Sequence, residues 1–355
     1  MHSKFNLAIN FFENGNLNES KKLCLEILED EPKNFDILHL LGIISFQLKD
    51  YKKSSDLIAQ AIKVNPNDAE AYNNQAFVLK KINRLEDAVE SLNQAIKIKP
   101  DFIEAYNGLG HLLVELNQLD AALKNFDKAI EINPNFSEAY NNRGNILNKL
   151  NRYTESIESY DKAISINPNF AEAYNNRGGV QKDRKLYEDA HKSYEKGIKI
   201  KPNLDFMLGS LIYTKLHLCD WESFNENLKK IEENIIKGNK SITPFASLLL
   251  LNSPSLQRKA AEIYFNAKYN SKNTLKSFEE RPKNKKIRVG YFSADFRKHV
   301  MSDLLINLFE CHDKSKFELI GFSFIPGKPD PMHNEIKNKF DQFFDVSLKT
   351  DKQML

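Results

Sequence analysis

Apolar residues over the first two thirds of the chain fall into two stripes that restart at a fixed interval. Between residues 137 and 170, Tyr140, Gly144 and Leu147 recur at helical spacing, a polar turn follows at Asn151, and Ile157, Tyr160, Ala163 and Ile164 form a second stripe. Proline punctuates every unit: Pro32, Pro66, Pro100, Pro134, Pro168 and Pro202 stand 34 residues apart. Tyr72, Tyr106, Tyr140 and Tyr174 each follow a proline by six residues. Small residues recur ten after (Gly42, Ala76, Gly110, Gly144, Gly178) and twenty-nine after (Ala61, Ala95, Ala129, Ala163, Gly197). The pattern predicts two helices per unit. Small residues such as Gly144 and Ala163 mark where two helices approach closely, and the proline, lacking an N–H, stops the second helix.

A 34-residue period with this spacing is the tetratricopeptide signature. One helix pair cannot bury its apolar face alone, so the pairs are expected to stack into a right-handed superhelix with a concave groove. Repeats proper run over 35–68, 69–102, 103–136, 137–170 and 171–204. Residues 1–34 read as an atypical capping repeat, with Leu7, Ala8 and Phe11 on one helix and Cys24 and Ile27 on the next. The beat fails after Pro202, yet helical periodicity continues through Phe206–Leu218 and Glu222–Ile236 as a degenerate pair. A break at Thr243-Pro244 follows, and Ser253-Pro254-Ser255 starts another helix carrying Leu256, Ala260, Ile263, Tyr264 and Ala267.

The character changes at Asn284. Alternation over Lys286–Phe292 predicts a strand, Met301–Glu310 a helix and Phe317–Phe324 a buried strand; a Pro326-Gly327 turn, a short helix near Met332–Phe340 and a third strand at Phe343–Val346 complete the run. A β-α-β-α-β order implies a parallel sheet. The expected fold is mainly α: repeats over 1–204, a helical bridge over 205–283, and a partial α/β Rossmann-like lobe over 284–355. About 70 residues is half of such a lobe, so the lobe is expected to be incomplete.

Composition narrows the function classes. The 355 residues carry a net charge of +3, which gives no argument for nucleic acid or an anionic membrane as partner. The basic stretch Lys283–Arg288 follows Glu279 and Glu280 and reads as a solvated linker. Cys24, Cys219 and Cys311 lie far apart without a CxxC pair, which argues against disulfides and structural zinc. The N-terminus lacks a signal peptide's apolar core, and the apolar run Phe245–Leu251 is too short to span a bilayer. A soluble, cytoplasmic protein is expected.

Two constellations carry candidate chemistry. Asn73, Asn74, Asn107, Asn141, Asn142, Asn175 and Asn176 recur at one point of the first helix of each repeat, expected to face the groove. An amide offers donors and an acceptor, so a ladder of them can grip an extended peptide's backbone without reading its sequence. Duplication of an Asn-rich unit would produce the same recurrence without selection for binding. The second constellation is the loop Ser293-Ala294-Asp295-Phe296-Arg297-Lys298-His299, which follows the first strand and leads into a helix. Ligands of open parallel sheets bind at this end. His299 is therefore a site candidate; the other seven histidines form no pair at metal spacing.

The segment from Arg288 to His299 resembles the opening of the catalytic domain of O-linked N-acetylglucosamine transferases. Lys215-Leu-His-Leu-Cys-Asp-Trp221 resembles the bridge those enzymes place between repeats and catalysis, and Pro244-Phe245 and Ser253-Pro254 match the bacterial branch. The resemblance covers essentially the whole chain in the same order. It implies transfer of a sugar from a nucleotide-sugar donor, UDP-N-acetylglucosamine (UDP-GlcNAc) first among them, onto Ser/Thr of polypeptides held by the repeats. His299 matches the active-site histidine that opens a His-Pro-Thr-Ser-His-type motif, which here reads His299-Val-Met-Ser-Asp303. Its implied role is contact with the acceptor hydroxyl, contact with the donor phosphates, or general base. Asn74, Asn142 and Asn176 match the family's peptide-binding ladder, which Gly108 interrupts. The family's donor contacts belong to a second lobe, so residues 1–355 alone are expected to bind no nucleotide cofactor and to be inactive. Self-association through the repeats is compatible with such an array. The alternative is a repeat scaffold with a vestigial catalytic lobe.

Overall fold

The structure, a computed structural model, describes residues 2–268, 286–325 and 330–347. The expected boundary at 283/284, residues 283–285 of the expected linker and the Pro326-Gly327 turn lie outside them, while Ile287 and Arg288 of that linker stand in the first strand rather than in a solvated connection. The chain divides into two compact units, Met1–Ser271 and Lys272–Leu355.

In the first unit the 34-residue beat becomes helix pairs. The cap is α1 (His2–Glu13) and α2 (Leu17–Asp30). The repeats are α3 (Phe35–Gln47) with α4 (Tyr51–Val64), α5 (Ala69–Lys81) with α6 (Leu85–Ile98), and α7 (Ile103–Glu115) with α8 (Leu119–Ile132). Two more follow, α9 (Ser137–Lys149) with α10 (Tyr153–Ile166) and α11 (Ala171–Asp183) with α12 (Tyr187–Ile200). The turn inside each repeat passes through one left-handed residue: Lys49, Asn83, Asn117, Asn151 and Lys185 have φ of 63°, 61°, 59°, 60° and 62°. Asparagine tolerates that conformation better than most residues, which explains three of the five. At the other end the second helix stops two residues before its proline. The residue between, such as Asn133 with φ −129°, is extended because proline disfavours a helical predecessor.

Each repeat is held by one small-to-large contact sixteen residues apart. A Cβ placed on Gly110 would stand 2.6 Å from the Phe126 ring, one on Gly144 2.7 Å from Tyr160, and one on Gly178 2.9 Å from Tyr194. In the second repeat Ala76 and Leu92, both buried, hold these two places, so a larger helix-A residue meets a smaller helix-B residue. First helices of neighbouring repeats also touch one another, as α5 touches α3 and α7. In the cap Ala8, Cys24 and Ile27 are buried as expected, but Leu7 is 46% exposed, because it lies off the stripe that meets α2.

Beyond the repeats come α13 (Met207–His217), α14 (Phe224–Ile236), α15 (Pro244–Leu250) and α16 (Pro254–Lys268), around a core of Ile212, Ile231, Ile242, Leu250 and Ala260. Pro244 starts a short helix rather than merely breaking one, since a first-turn position needs no N–H. Among the described residues no helix is long and apolar enough to cross a membrane.

The second unit is a three-stranded parallel sheet in the order β1 (Ile287–Ser293), β2 (Phe317–Ser323), β3 (Gln342–Asp345). In register, Val289 lies beside Leu319 and Gly321 beside Phe343. The connecting helices are α17 (Val300–Cys311) and α18 (Pro331–Lys337). Phe296, Phe309, Leu319, Ile336 and Phe340 form the core, against which Val289, Tyr291 and Phe343 pack. On the alternate positions Phe292 stacks on Phe322 with centroids 4.4 Å apart and stays 65% exposed.

Candidate functional site

The asparagines form a ladder, but its rungs run between repeats. Asn142 donates through Nδ2 to Asn107 Oδ1 at 3.0 Å, and Asn176 donates to Asn141 Oδ1 at 3.0 Å; each rung spans 35 residues. The same step carries Asn74 Nδ2 to His39 Nε2 at 3.0 Å. His39 holds the repeat position that Asn73, Asn107, Asn141 and Asn175 hold later. Asn142 Nδ2 also donates to His111 Nε2 at 3.1 Å. Both N–H bonds of Asn142 are therefore spent inside the protein, while its Oδ1 is left to accept.

Burial separates the two members of the pairs 73/74 and 141/142, but not those of 175/176. Asn73 and Asn141 are buried, whereas Asn74, Asn107, Asn142, Asn175 and Asn176 are half-buried. The expectation that all seven face an open groove therefore fails for Asn73 and Asn141, which are shut in where successive first helices meet. Gly108 stands where Asn142 and Asn176 stand in later repeats, so no rung reaches Asn73, whose Oδ1 is buried without a partner. Burial is the main cause that holds His39 and His111 below the ordinary imidazole value. At His39 the carboxylates of Asp68, Glu70 and Asp36 oppose it; at His111 Lys80 reinforces it and Glu115 opposes it. A neutral ring is what a rung needs, since an imidazolium has no lone pair to accept with. Neither histidine stood out by spacing alone; the signals were that His39 shares the asparagine position and His111 follows Asn107 by one helical turn.

In the second unit His299 is the N-cap of α17. Its backbone is extended (φ −154°, ψ 148°), and its Nδ1 accepts from Met301 N–H at 3.2 Å. The lone pair at Nδ1 is used, so the neutral ring carries its proton on Nε2, and the side chain is 43% exposed. Asp295 Oδ2 lies 4.0 Å from Nδ1, too far to take that hydrogen bond. The loop before it is tied down by backbone contacts. Ser293 Oγ accepts from Asp295 N–H at 2.9 Å, and Ser302 Oγ donates to the Asp295 carbonyl. Asp330, which caps α18, accepts from Lys298 N–H at 2.7 Å and from His333 N–H at 2.9 Å. Those two backbone donors, Lys298 first, hold its carboxyl below the usual carboxylate range. His333 is buried and donates from Nδ1 to the Phe296 carbonyl at 2.9 Å. Asp330 was invisible in the pattern because the partner that ties it to this loop is a main-chain N–H 32 residues away.

Two kinds of family model match the chain. Tetratricopeptide models cover residues 35–68, 57–90, 78–116, 110–150, 144–185 and 171–204. A model described as glycosyl transferase family 41 covers residues 218–353, which include the strand, the loop and His299. Over 82 residues the chain is 40% identical to a UDP-N-acetylglucosamine--peptide N-acetylglucosaminyltransferase of Caenorhabditis elegans. The chain carries the repeat-plus-transferase architecture of the O-linked N-acetylglucosamine transferase family.

The match to the nematode transferase covers 23% of this chain and 7% of that protein. The helical fold is also that of two solved structures. One is a tetratricopeptide repeat protein from Parabacteroides merdae (18% identity, 74% of this chain and 98% of that one, TM-score 0.53). The other is PilW, a type IV pilus biogenesis factor (21% identity, 63% and 97%, TM-score 0.52). Among the described residues no group of three His, Cys, Asp or Glu side chains could hold a metal ion.

Proposed function

We propose that the chain belongs to a protein O-glycosyltransferase that moves a sugar, N-acetylglucosamine from UDP-GlcNAc first among the candidates, onto Ser/Thr of polypeptides held by its repeats. The observation that carries this reading is the coincidence of the family 41 match with a loop that presents an exposed, capped imidazole at the carboxyl end of β1. Capping favours one chemistry for the ring. With Nδ1 occupied by Met301 N–H, the ring offers Nε2–H as a donor, to an acceptor hydroxyl or to a phosphate oxygen of the donor. A general-base role would require the proton to leave Nε2 and the cap to open.

In the repeats, Asn74, Asn142 and Asn176 are proposed to hold acceptor backbone. Their free Oδ1 atoms accept peptide N–H groups, and Asn74 and Asn176 each keep one N–H for a carbonyl. Asn107 and Asn175 contribute at the same face, while Asn141 orients Asn176 from behind.

Transfer of radiolabelled N-acetylglucosamine from UDP-GlcNAc to an acceptor protein tests the reading, run on residues 1–355 and on the protein expressed from the intact gene. His299→Ala is expected to lower transfer at least ~100-fold, the low end of what a positioned proton-handling group contributes. His299→Gln, whose amide also donates, is expected to retain more activity than the alanine variant. Equal loss in both would remove the donor role, and full activity in both would remove His299 from the site. No transfer by any form to any protein acceptor would favour the scaffold reading.

A further inference from the structure

Residues 295–299 belong to no helix or strand, so their backbone groups need partners from elsewhere. Three of those groups find side chains on α17 and α18. The Asp295 carbonyl accepts from Oγ of Ser302, which lies in the first turn of α17 and is only 2% exposed. The other two contacts come from one turn of α18. The Phe296 carbonyl accepts from His333 Nδ1 at 2.9 Å, and Lys298 N–H donates to Asp330 Oδ2 at 2.7 Å. Asp330 is the N-cap of α18, and His333 stands three residues on. A carbonyl and an N–H of the three residues before His299 are thus held by the same turn.

The needs of α18 alone do not account for this arrangement. Asp330 divides its oxygens: Oδ1 accepts from His333 N–H at 2.9 Å and caps the helix, while Oδ2 faces the loop. An N-cap uses one side-chain oxygen, and serine or asparagine supplies it as well as aspartate does. The second oxygen therefore serves Lys298. His333 is 6% exposed and lies edge-on to Phe343, with centroids 5.3 Å apart. A buried imidazole needs a polar partner, and the partner of its Nδ1–H is the loop carbonyl. Phe296 itself is buried in the core with Phe309 and Phe340, which anchors the loop on its inner side.

We propose that Asp330 and His333 are positioning residues for His299: they clamp the main chain just before it and so fix the direction in which its Nε2–H points. Lys298 N–H sets the peptide plane one residue ahead of His299, whose extended backbone then brings Nδ1 to Met301 N–H at 3.2 Å. Releasing the clamp frees those dihedrals, opens the cap and lets the ring proton exchange between the two nitrogens. Both residues act on transfer through His299. The proposal rests on the reading of His299 as the imidazole of the transfer site, but the clamp can be measured without transfer.

Asp330→Ser separates the clamp from the fold, because serine keeps a good N-cap for α18 and has nothing at the place of Oδ2. The first readout is the ¹⁵N spectrum of the histidine rings in residues 1–355 at neutral pH, with His299 assigned by its loss in His299→Gln. The native chain should show one bare nitrogen, Nδ1, and one protonated nitrogen, Nε2. In Asp330→Ser the two resonances should move toward each other as tautomers exchange. His333→Leu should do the same, and His333→Gln, which keeps an N–H for the Phe296 carbonyl, should stay closer to native. A merely structural role would lower the folded fraction without mixing the tautomers of what remains folded. The second readout is transfer by the protein expressed from the intact gene. Asp330→Ser should lower kcat about tenfold or more, the effect of a misplaced reacting group, with KM for UDP-GlcNAc little changed. An unchanged His299 spectrum in Asp330→Ser, or equal spectra for His333→Gln and His333→Leu, overturns the clamp. Shifted resonances with unchanged kcat, in an enzyme that His299→Ala inactivates, overturn the positioning role. Full transfer by His299→Ala would instead remove the reading on which the proposal rests, with the spectra still deciding the clamp.

Discussion

The contact between Gly110 and Phe126 can be tested as a pair. Alanine at 110 would place a Cβ 2.6 Å, 2.7 Å and 3.0 Å from three ring atoms of Phe126. Ordinary carbon contacts lie at roughly 3.5–4.0 Å, so the ring must retreat by about 1 Å, and at 1% exposure it has little room to do so. Overpacking of this kind costs about 1–3 kcal/mol. The better helix propensity of alanine returns about 1 kcal/mol. Gly110→Ala should therefore destabilise by roughly 0–2 kcal/mol. Phe126→Leu leaves a void and should cost about 1–2 kcal/mol from lost burial. The double variant rebuilds the pair that the second repeat uses, Ala76 with Leu92. It should be more stable than the sum of the single changes predicts, by about 0.5–3 kcal/mol, the range of coupling between residues in contact. Urea unfolding followed by circular dichroism on the four proteins measures it. Additivity within about 0.5 kcal/mol would show that the glycine is there for some reason other than the ring.

Three further outcomes follow from the ladder and the site. Asn142→Ala removes two inter-repeat hydrogen bonds, to Asn107 and His111, and should destabilise by about 1–2 kcal/mol in the same unfolding assay. His39 and His111 are held below their ordinary value of 6.5, so the unfolded chain binds more protons than the folded one beneath that pH. Stability should be complete above pH 6.5 and fall as pH is lowered; His39→Asn, which makes that rung all-amide, should flatten the melting-temperature profile between pH 7 and about pH 5. Asp330→Ala frees the Lys298 N–H and should loosen the loop that carries His299, seen as faster amide exchange at Lys298 with the repeats unchanged.

Much of this was legible in one dimension because repeats turn spacing into geometry. The prolines and small residues placed the helix pairs of the repeats, and the alternation at Ile287, Val289 and Tyr291 located β1 within a residue or so. What escaped was whatever depends on a partner from another repeat or on the backbone. Asn73 and Asn74 are neighbours in sequence, yet a turn of about 100° between successive helix positions buries one and leaves the other half-buried. That His39 and His111 belong to the ladder depends on a 35-residue step that hydrophobic periodicity does not report. His299 was found by its place after a strand, but its tautomer follows from a cap whose donor is a main-chain N–H, to which the pattern of side chains is blind.

The constant 35-residue step has a consequence for how such a chain can grow. A rung never joins residues within one repeat, so each joint that has one is specified by two halves lying on either side of a boundary, a donor asparagine after it and an acceptor before it, His39 at the first joint and an asparagine at the later ones. Residues 137–170 carry a complete set, Asn142 facing back and Asn141 facing forward. Copying that segment in tandem would create a new joint that is already matched, and deleting it would bring Asn176 against Asn107 with both halves still present. The array is thus written in interchangeable words, with one exception. The second repeat offers an acceptor at Asn73 that the third, reading Gly108, does not answer, and a copy of a later repeat placed between them would answer Asn73 while leaving its own acceptor to face Gly108.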